Sequence, residues 1–326
     1  MSELVFEGDT LAVPLGGTVL EALEAAGVHA PSSCRSGICQ SCVMRAVEGT
    51  PPPVAQAGLR DTLRAQGYFL ACMCKPEGRL VVSRPDAAGL RFTARIAGVR
   101  SLNGAVAELR LHCDSTFEYR PGQFLNLIHP QGAVRSYSLA SVPGVDDALH
   151  LHVARVPGGV MSGWVHDHAQ EGDTLEILGP HGNCFYVEGN PAQPLLLAGT
   201  GTGLAPLYGI VNDALRQNHT GPIHLFHGSI RKDGLYLVDE LRALSRCHPN
   251  LHYHPCVLEG DVGEDIHTGP LDVYIASALP SLKGFRVYLC GHPDLVKLLQ
   301  KKTFLMGASI KEIFADAFVP AKSTAA

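Results

Sequence analysis

Five of the ten cysteines lie close together near the start of the chain, and their spacing is that of an iron–sulfur site. Cys34, Cys39 and Cys42 form a C-x4-C-x2-C run, and Cys72 and Cys74 follow far along the chain. A [2Fe–2S] cluster needs four soft thiolates, and this spacing draws three of them from one loop and the fourth from a distant one. The pattern therefore predicts a [2Fe–2S] cluster.

Two alternatives to a cluster are a zinc site and buried structural cysteines. Zinc sites usually pair two C-x2-C units or add histidines at matched spacing, and only Cys39 and Cys42 have that form here. Spacing alone leaves Cys72 and Cys74 as competing fourth ligands. The run from Leu70 to Pro76 resembles the end of plant-type ferredoxins, which selects Cys72 and makes Cys74 a packed thiol.

The elements around the cysteines are a hairpin and a helix. The short apolar runs Leu4–Glu7 and Thr10–Pro14 predict a hairpin. Thr18 and Glu21 have the spacing of a capping box at a helix start, and Gly27 can end that helix.

The middle of the chain has short alternating runs separated by turn residues, a pattern that predicts an antiparallel barrel. The predicted strands are Phe92–Val99, Ala105–Leu111, Gln123–Ile128, Ser136–Ala140, Leu149–Val156 and Asp173–Leu178. Arg135 and Tyr137 share one face of a strand and Ser136 and Ser138 the other, which suits a ligand with phosphates and a flat ring system. Gly159 and Ser162 lie at a predicted helix start, where anions bind.

The last part of the chain alternates strands and helices around a glycine-rich turn. Gly199, Thr200, Gly201, Thr202, Gly203 and Pro206 follow the apolar strand Pro194–Ala198 and precede a helix. Strand, glycine-rich turn, helix and strand predict a nucleotide-binding unit, although Leu204 stands at the third glycine position of the strict fingerprint. Cys290 and Gly291 end a later strand, at the edge of the sheet where ligands bind.

Composition excludes several classes of function. The 326 residues are 46% hydrophobic and 17% charged, which predicts two or three folded domains. A net charge of −5 without a basic block argues against nucleic acid and membrane surfaces as partners. No long apolar run or basic leader is evident, so we expect a cytoplasmic protein with reduced thiols.

Together these motifs resemble the plant ferredoxin–NADP reductase superfamily, and most closely the iron–sulfur flavoprotein reductases that serve bacterial oxygenases. The resemblance covers nearly the whole chain. It implies a β-grasp [2Fe–2S] ferredoxin domain over residues 1–88, an FAD-binding antiparallel β-barrel over 89–190, and a Rossmann-like α/β domain for the nicotinamide nucleotide over 191–326.

The resemblance also implies roles for individual residues. The cluster ligands are Cys34, Cys39, Cys42 and Cys72. The flavin is bound by Arg135, Ser136, Tyr137, Ser138, Gly159 and Ser162, and its ring is covered by Phe318. The nicotinamide nucleotide is bound by Gly199, Thr200, Gly201, Thr202, Gly203, Pro206, Cys290 and Gly291, with Ser138 and Cys290 as catalytic residues. Cys184, an unusual residue in the Gly179–Phe185 run, is expected only to pack.

The expected reaction carries electrons from NADH through FAD and the cluster to an oxygenase or another acceptor protein. A flavin is needed because a nicotinamide gives a hydride and a cluster takes single electrons. Glu259 favours NADH over NADPH, although Arg231 and Lys232 favour the 2′-phosphate. The alternatives are a reductase of deoxysugar biosynthesis, resembling CDP-6-deoxy-glucoseen reductase, and a non-catalytic redox sensor.

Overall fold

Three β-sheets follow one another along the chain, each with its own hydrophobic core. The structure is a computed structural model that describes residues 3–59, 63–64, 67–85, 91–114, 116–187, 189–260, 262–263 and 265–319. The predicted domain boundary at 88/89 lies outside the described residues, and the boundary at 190/191 stays a prediction.

The first sheet has five strands in the order β2-β1-β5-β3-β4, and a helix packs with it in one core. Its elements are β1 (Glu3–Phe6), β2 (Asp9–Leu11), α1 (Val19–Ala25), β3 (Val43–Glu48), a 3₁₀ turn (Pro53–Gln56), β4 (Tyr68–Leu70) and β5 (Arg79–Ser83). The predicted hairpin is confirmed, with Leu4 paired to Leu11. Buried Leu20 and Leu23 of α1 pack in one core with Phe69. This is the predicted β-grasp arrangement.

The capping box that begins α1 is confirmed. The Glu21 amide donates to Thr18 Oγ1 at 3.3 Å, and the Thr18 amide donates to Glu21 Oε2 at 2.8 Å. Both bonds satisfy amide groups that the first helical turn leaves free. Gly27 has a φ of +72° just after the helix, as a left-handed stop requires.

The second sheet has six antiparallel strands in the order β10-β7-β6-β11-β8-β9. Its elements are β6 (Arg91–Ser101), β7 (Val106–Cys113), β8 (Phe124–Ile128), β9 (Val134–Ser138), β10 (Leu149–Ala154), α2 (Val160–Asp167) and β11 (Thr174–His181). An isolated antiparallel bridge between Leu139 and Leu151 links the β9 edge to β10. The two edges of the sheet therefore meet, and the predicted barrel is confirmed.

The third sheet has six parallel strands in the order β15-β14-β13-β12-β16-β17. Its strands are β12 (Leu195–Thr200), β13 (Ile223–Ser229), β14 (Leu251–Val257), β15 (His267–Thr268), β16 (Arg286–Gly291) and β17 (Ile313–Ala317). Its helices are α3 (Leu204–Arg216), α4 (Val238–Cys247), α5 (Leu271–Ala278) and α6 (Pro293–Leu305), with 3₁₀ turns at Gly201–Gly203, Lys232–Gly234 and Ile310–Glu312. The strand order reverses between β12 and β16, and ligands bind at such a reversal beyond the carboxyl ends of the strands.

Candidate active site

A cavity of about 400 Å³ lies where the three sheet regions meet. Its wall combines the cysteine loop, strand β9, the start of α2, the turn before α3 and the end of β17. Ten residues that the sequence singled out line it: Cys34, Cys39, Arg135, Ser136, Tyr137, Ser138, Gly159, Ser162, Thr202 and Phe318. The fold thus brings residues from all three regions to one space.

Other predicted residues lie outside the cavity wall. They are Cys42, Cys72, Gly199, Thr200, Gly201, Gly203, Pro206, Cys290 and Gly291. The wall also contains residues that the sequence did not single out, above all His152 on β10 and Asp316 on β17.

The cysteine loop arranges its thiols in two pairs. Cys34 and Cys39 interact with each other, and Cys42 interacts with Cys72. Hydrogen bonds from Cys39 and Ser36 lower the pKa of the Cys34 thiol to about 4, and the bond from Cys42 lowers the pKa of Cys72. The pKa of each partner is raised by the same contact.

Backbone amides of the loop point at the sulfur atoms. The Cys39 and Ser36 amides donate to Cys34 Sγ at 3.3 and 3.5 Å, and the Cys72 amide donates to Cys42 Sγ at 3.5 Å. Such bonds stabilise thiolates and tune a cluster bound to them. Two thiol pairs surrounded by amide donors fit a cluster that places two thiolates on each iron. Within the described ranges, no group of three His, Cys, Asp or Glu side chains is arranged around one metal-ion position.

Cys74 has different surroundings from its neighbour Cys72. Its side chain is fully buried in the core of the first sheet, and burial alone raises the pKa of its thiol to about 12. Its carbonyl oxygen accepts a hydrogen bond from the Val19 amide at 2.8 Å, which ties it to helix α1. These contacts match a packed thiol.

The alternation of side chains along a strand predicts that Arg135 and Tyr137 lie on one face of β9 and that Ser136 and Ser138 lie on the other. In the structure, residues of both sets line the cavity. Burial raises the pKa of the Tyr137 phenol well above its usual range, and the Arg135 charge opposes that rise. A neutral ring and a cation therefore stand side by side.

The start of helix α2 is open to a ligand. Gly159 caps the helix without a side-chain hydrogen bond, so amides of the first turn are left for another acceptor. A Cβ atom at Gly159 would lie 2.5 Å from Ser162 Oγ, so only glycine leaves this space open. Ser162 Oγ accepts from the Val156 amide at 3.1 Å and is fixed in place. A phosphate group fits this corner of the cavity.

The glycine-rich turn packs directly against the end of β16. A Cβ atom at Gly203 would lie 2.4 Å from the Cys290 carbonyl oxygen, so no larger residue fits there. Gly201 has a φ of +54°, and Thr202 reaches the cavity wall. A glycine-rich turn of this kind before a helix is typical of sites that bind a dinucleotide pyrophosphate.

Asp316 joins the last strand to the barrel. Ser138 Oγ donates to Asp316 Oδ2 at 3.4 Å, and the Phe318 amide donates to the Gly291 carbonyl at 2.8 Å. Burial raises the pKa of Asp316 to about 6, although the Ser138 hydroxyl opposes the rise. No spacing rule in the sequence marks Asp316; it reaches the cavity wall because strand β17 pairs with β16.

Three family models match successive parts of the chain. They are a 2Fe-2S iron-sulfur cluster binding domain over residues 6–77, an oxidoreductase FAD-binding domain over 95–186 and an oxidoreductase NAD-binding domain over 197–301. The structure describes no helix that is long and apolar enough to span a membrane.

Relatives match over nearly their full length. A naphthalene 1,2-dioxygenase system ferredoxin–NAD(P)(+) reductase component from Pseudomonas putida is 33% identical over 98% of this chain and 99% of its own. The reductase subunit of an aromatic O-demethylase from Amycolatopsis is 33% identical over 96% of this chain and 99% of its own. The crystal structure of an Amycolatopsis cytochrome P450 reductase has a TM-score of 0.72 and 30% identity, covering 99% of this chain and 100% of its own.

Proposed function

This chain belongs to the iron–sulfur flavoprotein reductases, which join a [2Fe–2S] ferredoxin domain to FAD-binding and NAD-binding oxidoreductase domains, and from this membership we propose which residues carry its reaction and which protein receives its electrons. It is an NAD(P)H-dependent oxidoreductase whose cofactors are FAD, a [2Fe–2S] cluster and a nicotinamide nucleotide. Bound FAD would supply the chemistry that links a nicotinamide, which gives two electrons as a hydride, to a cluster that accepts single electrons.

The cluster is held by Cys34, Cys39, Cys42 and Cys72. The two thiol pairs and the amides aimed at them support this set. The Cys74 thiol, whose pKa is raised by burial alone and by no contact with another cysteine, is excluded from the set.

The flavin is held by strand β9 and the start of α2. Arg135 neutralises phosphate charge, Tyr137 packs against the ring system, and Ser138 donates a hydrogen bond to the reacting part of the ring. Gly159 and Ser162 receive the pyrophosphate, with Ser136 completing the strand, and Phe318 covers the ring. The shared cavity wall of these residues supports the set.

The nicotinamide nucleotide is held by the turn that precedes α3 and by the end of β16. The backbone of the turn at Gly201, Thr202 and Gly203, which follows Gly199 and Thr200 at the end of strand β12, receives the pyrophosphate, and Pro206 shapes the first turn of the helix. Cys290 and Gly291 adjoin the nicotinamide ring. The tight packing of Gly203 on the Cys290 carbonyl supports one continuous site.

The observation that carries this proposal is the common cavity. Cys34 and Cys39 of the cluster loop, the β9 residues and Thr202 of the dinucleotide turn all line it. Electrons can therefore pass between the cofactors inside one chain without a second protein. An anaerobic NADH titration, followed by absorbance and electron paramagnetic resonance, tests it. Flavin and cluster should both be reduced, and a flavin that is reduced without the cluster would overturn the relay.

The preferred donor is NADH rather than NADPH. Arg231 Nε donates to Glu259 Oε1 at 2.8 Å, so the arginine next to the nucleotide edge of the sheet is already paired with a carboxylate. A carboxylate there also repels a 2′-phosphate. Steady-state kinetics with both nucleotides tests the preference, and a higher kcat/KM for NADPH would contradict it.

The acceptor is the oxygenase component, or an electron carrier, of an aromatic oxygenase system. The relatives support this class, since they include reductase components of naphthalene and terephthalate dioxygenase systems and the electron transfer component of a xylene/toluene monooxygenase. Mixing the NADH-reduced protein with a purified oxygenase of this class should reoxidise the cluster within the turnover time. A failure with every oxygenase, together with rapid reduction of a deoxysugar dehydrase, would move the chain to the other predicted role.

A further inference from the structure

Two buried thiols outside the cluster loop touch each other. Cys184 Sγ and Cys290 Sγ lie 3.6 Å apart. Their exposed fractions are 4% and 1%. Cys184 follows strand β11 of the barrel, whereas Cys290 ends β16 of the nucleotide domain, so the contact bridges two domains.

The surroundings of the pair connect it to the active site. The carbonyl oxygen of Cys290 lies 2.7 and 2.4 Å from the positions that Cβ atoms would take at Gly199 and Gly203. On the next strand Cys290 is in register with Asp316, which lines the cavity. The pair therefore lies beside the glycine-rich turn and one strand away from a residue of the cavity wall.

A disulfide between the two sulfur atoms requires only a small movement. The bonded distance is about 2.0 Å, so the sulfur atoms must approach by about 1.5 Å. Cys184 lies in a loop after its strand, where such a shift is easier than in the middle of a sheet. Apolar packing does not require sulfur at both positions, because the neighbours in this core are mostly leucine, isoleucine and tyrosine.

We propose that Cys184 and Cys290 form a reversible disulfide that links the flavin domain to the nucleotide domain and stops hydride transfer. Hydrogen peroxide is the oxidant. One thiol takes an oxygen atom from peroxide to give a sulfenic acid, and the peroxide leaves as water. The other thiol then displaces the sulfenic hydroxyl as a second water molecule, so the pair loses two hydrogen atoms and peroxide becomes two waters. Excess dithiol reverses the reaction.

The disulfide acts through the glycine-rich turn. The bond ties the Cys184 loop to Cys290, whose carbonyl packs tightly against Gly199 and Gly203, so strain in the link is passed to the turn and to the nicotinamide position. A misplacement of about 1 Å can slow a reaction by roughly 10²-fold. The inference relies on the proposed function only for this kinetic consequence, since formation of the bond is a separate measurement.

The test treats the anaerobic holoenzyme with hydrogen peroxide, removes the oxidant and maps peptides under non-reducing conditions. We expect a cross-linked peptide pair containing residues 184 and 290, two hydrogens lighter than the separate peptides. NADH-driven bleaching of the flavin in a stopped-flow instrument should slow by roughly 10²-fold and recover with dithiothreitol. This step precedes the cluster, so damage to the cluster does not affect it.

Two variants make the assignment specific. Without peroxide, Cys184→Ala should reduce its flavin at the wild-type rate, and peroxide should not slow it. Cys184→Ser replaces it if that variant does not fold. Cys256→Ala is the matched control, because Cys256 is also buried and its thiol donates to the Gly269 carbonyl at 3.3 Å. It should remain as sensitive as the wild type. The proposal is overturned if no cross-linked peptide forms, or if peroxide slows flavin reduction as much in Cys184→Ala as in the wild type. If the untreated enzyme does not reduce its flavin with NADH, the proposed function is refuted instead.

Discussion

The side-chain amide of Asn126 donates a hydrogen bond to the Cys39 carbonyl at 3.1 Å, and this bond joins the barrel to the cysteine loop. Asn126 is fully buried on strand β8, and its oxygen accepts from Ser136 Oγ at 2.7 Å. One asparagine thus connects strand β9, which is proposed to hold the flavin, to the loop proposed to hold the cluster. Under that proposal, these two bonds fix the position of one cofactor relative to the other.

Asn126→Ala should slow electron transfer from flavin to cluster while leaving hydride transfer from NADH unchanged. The variant leaves a buried carbonyl and a hydroxyl without partners, which costs about 1–3 kcal/mol of folding free energy. The loosened loop should slow cluster reduction by roughly tenfold. Stopped-flow absorbance separates the flavin step from the cluster step.

Asn250→Ala is the matched control for this change. Its amide donates to the carbonyls of His219 and Gly221 at 2.9 and 3.1 Å, far along the chain from the cysteine loop. It should lose similar stability without changing either electron-transfer step. Identical kinetics in the two variants would show that the Asn126 joint has no part in transfer.

Cys72→Ser should remove the cluster, and Cys74→Ser should retain it. The first change replaces a soft ligand that is paired with Cys42, so iron and labile sulfide content should fall by most of their value. The second change buries a hydroxyl in an apolar core and should cost about 1–3 kcal/mol of stability with the iron content intact. Iron and sulfide assays with electron paramagnetic resonance distinguish them. Loss of the cluster in Cys74→Ser with retention in Cys72→Ser would show that Cys74 is the fourth ligand.

Local chemistry explains why much of this fold could be predicted. The capping box at Thr18 and Glu21 depends on residues three positions apart, and its bonds form as spacing predicts. The glycine turn at Gly201–Gly203 lies between β12 and α3 for the same reason. Signals of this kind need no knowledge of distant parts of the chain.

Contacts between distant parts of the chain could not be predicted in this way. Strand β17 (Ile313–Ala317) has no clear alternation of buried and exposed residues, and its extended conformation is stabilised by pairing with β16. Asp316 and Ser138 are 178 positions apart, and Cys184 and Cys290 are 106 apart. No spacing rule connects such residues, so these contacts at the candidate site required the fold. The predicted strand Ser136–Ala140 was also shifted, because the pairing with β8 begins at Val134.

Glu259→Gln should raise kcat/KM for NADPH by about tenfold, mainly through KM, with little change for NADH. The carboxylate holds Arg231 in an exposed ion pair. Removing its charge frees the guanidinium for a 2′-phosphate and removes a repulsive charge. Glu240→Gln, which removes a carboxylate from the exposed side of α4, is the control and should change neither nucleotide. If Glu259→Gln keeps the wild-type preference for NADH over NADPH, the Arg231–Glu259 ion pair does not determine the choice of nucleotide.

The rate of flavin reduction by NADH should rise with pH through about pH 6 and should lose this dependence in Asp316→Asn. Burial raises the pKa of Asp316 to about 6, so the carboxyl is neutral below that pH and negative above it. A nicotinamide that gives up a hydride becomes positively charged, and an ionised Asp316, in register with Cys290 of the proposed nicotinamide site, would stabilise that charge. The wild type should therefore be several-fold faster at pH 7.5 than at pH 5, a ratio that reflects the fraction of ionised Asp316.

Asp316→Asn keeps the shape of the side chain and can still accept a hydrogen bond from Ser138, so it tests the charge rather than the contact. Its rate should be low and nearly independent of pH between 5 and 7.5, while the flavin stays bound. Asp294→Asn, an exposed carboxylate in the first turn of α6, should keep the wild-type profile. A wild-type inflection that persists in Asp316→Asn would assign it to another group. In that case the Ser138–Asp316 contact would only hold the last strand against the barrel.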